Sequence, residues 1–233
     1  MMGWWSVVLA AVVLAGGPAT AADAPAAFFD HVDEGPRDLR PPPPTLDAFD
    51  RAVLEVCGPW GARPDREAFA ALVATEPDLV AAAGSLKALT EAWFAANGFA
   101  HIICGEPGPE RLGGFHYQGR YLQAQAEGWA DVSQACGIQE KDGPIHTLGV
   151  RYQVPRGGNR TQCPKGYVYG QSARALLLSA TQAWVKARGR HDVCLAPVDG
   201  ARKGKAVVVL RKGALRTYYG DATPNLSLPA CGD

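Results

Sequence analysis

Two of the chain's five histidines, His101 and His116, stand 15 residues apart in a segment of distinctive local texture. It reads His101-Ile102-Ile103-Cys104-Gly105-Glu106 and then Leu112-Gly113-Gly114-Phe115-His116. Imidazole titrates near neutral pH, so two histidines can act as base and acid in one reaction. Cleavage of RNA by its own 2′-hydroxyl needs such a pair: a base for the 2′-OH proton and an acid for the leaving 5′-oxygen. It also needs a cation, or a set of N–H donors, for the charge on the phosphate. Gly113 and Gly114 would let the backbone approach a phosphate closely and offer N–H donors to it. Two histidines at this spacing are equally what one buried, hydrogen-bonded His and one surface His would produce, so the pair alone does not decide.

Three further elements bear on it. Lys165 follows His116 by 49 residues, in Gln162-Cys163-Pro164-Lys165-Gly166, just before an expected helix. Thr217-Tyr218-Tyr219 closes the last expected strand, 52 residues after Lys165. Tyr218 and Tyr219 alternate across that strand, and Tyr219 shares a face with Thr217. Lys141 and Lys186 are the alternatives to Lys165 as the cation. Cys104, three residues after His101, has no matching second pair that would make a zinc site.

In order and spacing, His101, Gly105-Glu106, Gly113-Gly114-x-His116, Lys165 and Thr217-x-Tyr219 resemble the EndoU family of uridylate-specific endoribonucleases. That family includes animal enzymes, a coronavirus domain and bacterial secreted or toxin nucleases. The resemblance runs from about Phe99 to Asp221. It implies His116 as general base on the uridine 2′-OH and His101 as general acid at the leaving oxygen, two roles that could be exchanged. It implies Lys165 as the stabiliser of the pentavalent phosphate, with the Gly114 N–H contributing. Thr217 would hydrogen-bond the uracil edge, and Tyr219 would stack on or pack beside the nucleoside. Glu106 and Gly113 would support the loop rather than catalyse. The products would carry a 2′,3′-cyclic phosphate and a 5′-hydroxyl. The chemistry would require no cofactor; some relatives are stimulated by Mn2+, for which no defined metal site is evident. Relatives often have Pro after the final Tyr, where Gly220 stands here.

Helical patterns before the histidines run from Thr45 to about Val56, Pro64 to about Thr75 and Pro77 to Asn97, with Gly98 as a terminator. Phe99–Cys104 reads as a strand, and Gly105–Pro109 as a turn. Val150–Val154 reads as a strand and Ser172–Arg188 as a helix. Val193–Ala196 reads as a strand, and Lys205–Leu210 with Leu215–Tyr219 as a hairpin. Helices first, then mixed strands and helices, predict an α+β fold. The expected organisation is a signal peptide over 1–21, a Pro-rich linker over 22–44, a helical subdomain over 45–98 and an EndoU-like catalytic domain over 99–233.

The signal peptide rests on the apolar run from Val7 to Ala15 before Ala19-Thr20-Ala21, too short to span a membrane, with cleavage expected after Ala21. All six cysteines lie outside it. An even number in an exported chain predicts disulfides, and six cysteines allow about 15 pairings. A disulfide at Cys163 would fix the loop that carries Lys165. The net charge is zero but divided: 6 Lys+Arg against 13 Asp+Glu from Asp23 to Ala100, and 17 against 10 from His101 to Asp233. A basic half suits a phosphate backbone. The expectation is therefore a secreted or periplasmic endoribonuclease with RNA as its partner and no stable membrane association after signal cleavage. If it is a toxin, an immunity protein is a further partner. Two other readings are a catalytically silent RNA- or phosphate-binding module and a disulfide-stapled structural or inhibitor protein.

Overall fold

A computed structural model describes residues 26–32, 39–136 and 140–233. The expected signal peptide lies outside them. No helix among the described residues is long and apolar enough to cross a membrane.

The chain begins with four short helices: α1 (Ala48–Cys57), α2 (Arg66–Ala74), α3 (Pro77–Ala83) and α4 (Leu86–Phe94). Asp47 caps α1 in a capping box with Asp50, and Asp65 caps α2 through the N–H groups of Glu67 and Ala68. The helix expected over Pro77–Asn97 is two helices. Gly84 takes a left-handed conformation that ends α3, and the Ser85 side chain caps α4 by accepting from the Ala88 N–H.

A π-helix (Ala100–Cys104) follows where a strand was expected. Ile102 and Ile103 favour strands by type, but Phe99, Ile102, Ile103 and Cys104 are all buried, and enclosure on several sides overrides that preference. Next come β1 (Glu106–Pro107) and β2 (Leu112–Gly113), which pair with each other, and then α5 (Gln118–Ala126). Strands β3 (Ala130–Val132), β4 (Glu140–Asp142), β5 (Ile145–Gln153) and β6 (Asn159–Val168) form one antiparallel sheet in which β5 pairs with the other three. The expected Val150–Val154 strand is the end of the longer β5. After α6 (Ala173–Ala187), strands β7 (Val193–Ala196), β8 (Lys205–Arg211) and β9 (Ala214–Asp221) form a second antiparallel sheet in the order β7-β8-β9. The expected β8–β9 hairpin is present, and the fold is α+β.

Helices α1–α4 share one hydrophobic core with the π-helix, α6 and the second sheet, through residues such as Phe69, Trp93, Ile103, Leu177 and Leu215. Buried Asp50 joins these parts by polar contacts: its Oδ1 accepts from the Tyr117 hydroxyl at 2.8 Å and from the Ala173 N–H at the start of α6 at 2.6 Å. A second core gathers Phe115, Tyr121, Tyr152 and Tyr167 with Phe28 and Phe29. Part of the expected linker is therefore packed, and the Gln125 side chain holds the Phe28 and Phe29 backbone.

The two sheets meet at Gly166 on β6 and Gly220 on β9, where a Cβ on Gly166 would lie 2.1 Å from the Gly220 carbonyl oxygen. Only a residue without a side chain allows that approach. It brings the Lys165 segment beside Thr217 and Tyr219.

Candidate active site

His101 lies on the π-helix, whose Cys104 is joined to Cys57 of α1 by a disulfide. The His116 segment is strapped to it by backbone bonds: Phe115 N–H donates to the His101 carbonyl and His116 N–H to the Ile102 carbonyl, each at 2.8 Å. Such a contact requires glycine nearby. Gly114 has φ +59°, and a Cβ there would lie 1.6 Å from the His101 carbonyl oxygen. A Cβ on Gly113 would lie 2.7 Å from Glu106 Oε2. The Gly-Gly pair thus accommodates the protein's own backbone and the Glu106 carboxylate, while also lining the site cavity. Phe115 has φ +74°, a strained conformation held by its packing against Trp60 and Tyr121.

The two imidazole rings come within 5.9 Å of each other, centroid to centroid, at 61°. His116 Nδ1 lies 2.8 Å from the Gly166 carbonyl oxygen, to which it can only donate. Its Nε2 then keeps the lone pair. His101 Nδ1 lies 2.6 Å from Glu106 Oε2. On the other side of His116, the Tyr219 ring stacks at 5.0 Å and 23°. Thr217 is buried, and its Oγ1 has no hydrogen-bond partner among the described residues. Tyr218 points into the core and is buried, so the strand face shared by Thr217 and Tyr219 is the one at the histidines.

Lys165 is on β6, not directly before a helix; α6 starts only at Ala173. One extra residue on β6 between Gln162 and Lys165 shifts its register against β5. Cys163, in that shifted stretch, is bonded to Cys136, and Gly149 beneath has no room for a side chain because a Cβ would lie 2.1 Å from the Cys136 sulfur. Lys165 Nζ donates to the Leu112 carbonyl. It faces the same cavity as His101, Glu106, Gly113 and Gly114, a space of about 660 Å³. Lys141 and Lys186 line other cavities, with His146 and along α6 respectively. The third disulfide, Cys194–Cys231, ties β7 to the C-terminal segment.

Arg216 was not singled out from the sequence. Its guanidinium donates to both Glu106 carboxylate oxygens, at 2.7 and 3.3 Å. Regular alternation along β9 would place Arg216 with Tyr218, away from the Thr217 face. However, Val209 pairs with Thr217 and Leu210 with Leu215, so Arg216 is the extra residue of a β-bulge and is re-aimed toward Glu106. Arg111 and Arg211 line the same cavity, which holds four Lys or Arg side chains against Glu106 and Glu110.

These contacts set the charges. Burial pushes the Glu106 carboxyl up, but hydrogen bonds from His101 and Arg216 outweigh it and hold it at about 2. Burial lowers His101; the Glu106 hydrogen bond opposes this and the Arg216 charge adds to it, for a net lowering. Burial, then the charges of Lys165 and His101, lower His116 well below the usual histidine value. Burial and Arg111 bring Lys165 down to about 8, against the pull of Glu106. At neutral pH the site therefore holds a neutral His116 with an available lone pair, a His101 braced by a carboxylate, and cations facing an open cavity. That combination can take up one proton, deliver another and hold an anion.

A family model described as bacterial EndoU nuclease matches residues 95–222, more than half of the chain. No curated protein sequence matches it. Among solved structures, XendoU, a splicing independent snoRNA processing endoribonuclease, aligns with a TM-score of 0.51 at 14% identity, covering 74% of this chain and 75% of that one. The endoribonuclease Nsp15 of Middle East Respiratory Syndrome Coronavirus aligns with a TM-score of 0.44 at 14% identity, covering 76% of this chain. This chain spans 41% of the length of that Nsp15 chain. At 14% identity the likeness to XendoU bears on the fold. The family match runs from just before His101 to just past Tyr219: the chain belongs to the bacterial EndoU nuclease family.

Proposed function

We propose that this nuclease is an exported endoribonuclease that cuts single-stranded RNA 3′ of uridine by attack of the 2′-hydroxyl, leaving 2′,3′-cyclic phosphate and 5′-hydroxyl ends. The observation that carries the reading is the gathering of His101, His116 and Lys165, from three separate segments, beside Thr217 and Tyr219.

In this mechanism His116 Nε2 takes the 2′-OH proton. Its Nδ1–H is committed to the Gly166 carbonyl and its pKa is low, so it is neutral and ready as a base. The 2′-oxygen attacks the phosphorus, and charge builds on the non-bridging oxygens. Lys165 stabilises that charge, with the Gly114 N–H beside it. His101 then protonates the departing 5′-oxygen. The carboxylate of Glu106 supports the imidazolium, which suits His101 to the acid role better than His116, whose Nδ1 faces only a carbonyl. The unpartnered Thr217 hydroxyl offers the uracil edge a hydrogen bond, and Tyr219 packs beside the nucleoside.

The chemistry needs no cofactor in this reading. Mn2+ would find no group of three His, Cys, Asp or Glu side chains among the described residues able to hold it, and no step is assigned to it. Three disulfides support export to an oxidising compartment. If the protein is a toxin, an immunity protein would protect its producer.

The test is incubation with an RNA containing one uridine, followed by mass analysis of the ends. A cyclic phosphate on the uridine is the expected result. His101→Ala and His116→Ala should each lose about 10²–10⁴ in rate. Intact RNA, or variants that cleave like the parent, would refute the proposal.

A further inference from the structure

A second cavity, of about 570 Å³, adjoins the site, and Glu106 and Gly108 belong to the walls of both. The rest of its wall includes residues before the family match, namely Arg63 between α1 and α2, Arg66 on α2 and Phe94 at the end of α4, with Asn97 just inside the match. Phe94 is half-buried, stacked on Phe99 at 5.6 Å and 13°, and presents ring surface to the cavity. Arg66 is ion-paired with Glu91. Arg63 is exposed and has no ion-pair or hydrogen-bond partner among the described residues. From Asp23 to Ala100 the chain is acidic, with 6 Lys+Arg against 13 Asp+Glu, yet two of those cations line this cavity. The carboxylate it shares with the site, Glu106, is already matched by Arg216.

The position of this groove gives the substrate a direction. Tyr219 and Thr217 lie on the His116 side, whereas the groove opens behind Glu106 on the His101 side. If His101 serves the leaving oxygen, whatever departs with that oxygen passes toward the groove. We infer that the groove formed by Phe94 and Arg63 is a subsite for the nucleotide that follows the scissile phosphate. The Phe94 ring stacks on its base and Arg63 pairs with the next phosphate. This rests on the endoribonuclease reading above and extends it to the segment before the family match, through the α1–α2 connection and the end of α4. An aromatic face beside a free guanidinium is a general platform for single-stranded RNA, since every base has a π-face and each paired phosphate releases counterions.

The test compares kcat/KM on four substrates: the methyl ester of uridine 3′-phosphate, UpA, UpApA and ApUpA. Ratios between substrates are taken within each variant, so a general loss of folded enzyme cancels. Phe94→Leu keeps the packing volume but removes the ring, and should reduce the advantage of UpA over the methyl ester by roughly 5- to 100-fold. Arg63→Ala, at an exposed position, should reduce the advantage of UpApA over UpA and lower the log–log salt slope for UpApA by about 0.7. The ApUpA to UpA ratio should not respond to either change. Unchanged ratios would overturn the subsite, as would an effect confined to the 5′ extension. A parent that cleaves none of the four would instead overturn the endoribonuclease reading itself.

Discussion

Glu106→Gln isolates the carboxylate that braces His101. The substitution preserves shape but removes the charge, so the imidazolium loses a charge-assisted partner at 2.6 Å while Arg216 stays close by. Such a hydrogen bond is worth about 1.5–3 kcal/mol, or about one to two pKa units. The Glu106 side chain is 31% exposed, so solvent screening favours the lower end, about one unit. The sign follows from the role. An acid works while protonated, so activity falls as pH rises through the His101 pKa, and lowering that pKa moves the alkaline limb of the kcat/KM profile to lower pH. Above the limb, kcat/KM should drop about tenfold. Arg216→Met should act the other way, because the guanidinium charge lowers His101; without it the alkaline limb should move up. The assay is steady-state cleavage of a uridine dinucleotide across the acidic to mildly alkaline range, and kcat/KM reports the free enzyme. Limbs that stay put in both variants, or shift in the same direction, would refute this linkage. A shift of the acidic limb in Glu106→Gln would mean that His101 is the base.

Thr217→Val should separate stability from specificity. Its buried Oγ1 has no hydrogen-bond partner among the described residues, so replacing the hydroxyl should leave the thermal midpoint unchanged or raise it, while preference for uridine over cytidine falls about tenfold; equal preference before and after would remove Thr217 from base recognition. Gly114→Ala puts a methyl group on the His101 carbonyl at a left-handed φ, and urea unfolding should show a loss of at least about 1–3 kcal/mol together with near-total loss of activity. Replacing both cysteines of Cys136–Cys163, or both of Cys194–Cys231, opens loops of 27 and 37 residues and should cost about 3–4 kcal/mol in each case. Only the first pair ends two residues before Lys165, so only its loss should lower kcat beyond what the folded fraction explains.

The residues proposed to bear the chemistry were legible because few other residue types could do the same chemistry. A His-x₄-Glu, a Gly-Gly-x-His and a Thr-x-Tyr each keep a short, local spacing that survives whatever fold carries it. Elements with regular patterns were legible as well: α1, α6 and the β8–β9 hairpin follow their apolar periodicity. What could not be read was how the side chains are aimed. Ile102-Ile103 suggests a strand, yet enclosure in the core makes that segment a π-helix and sets His101 on it. Residues 159–164 are mostly exposed and polar, without the alternation of a half-buried strand, so β6 was invisible and Lys165 seemed to precede a helix. Regular alternation would turn Arg216 with Tyr218 toward the core, but one extra residue in β9 turns it to Glu106 instead. Each of these departures falls on a side chain of the site: one imidazole, the ammonium, and the guanidinium that pairs with the carboxylate beside that imidazole. Local preference governs a segment when nothing else constrains it. Here three segments are held against that preference by a disulfide to α1, a disulfide beside a bulge and a second bulge, and each constraint acts where a charged or titrating group must be aimed at one cavity.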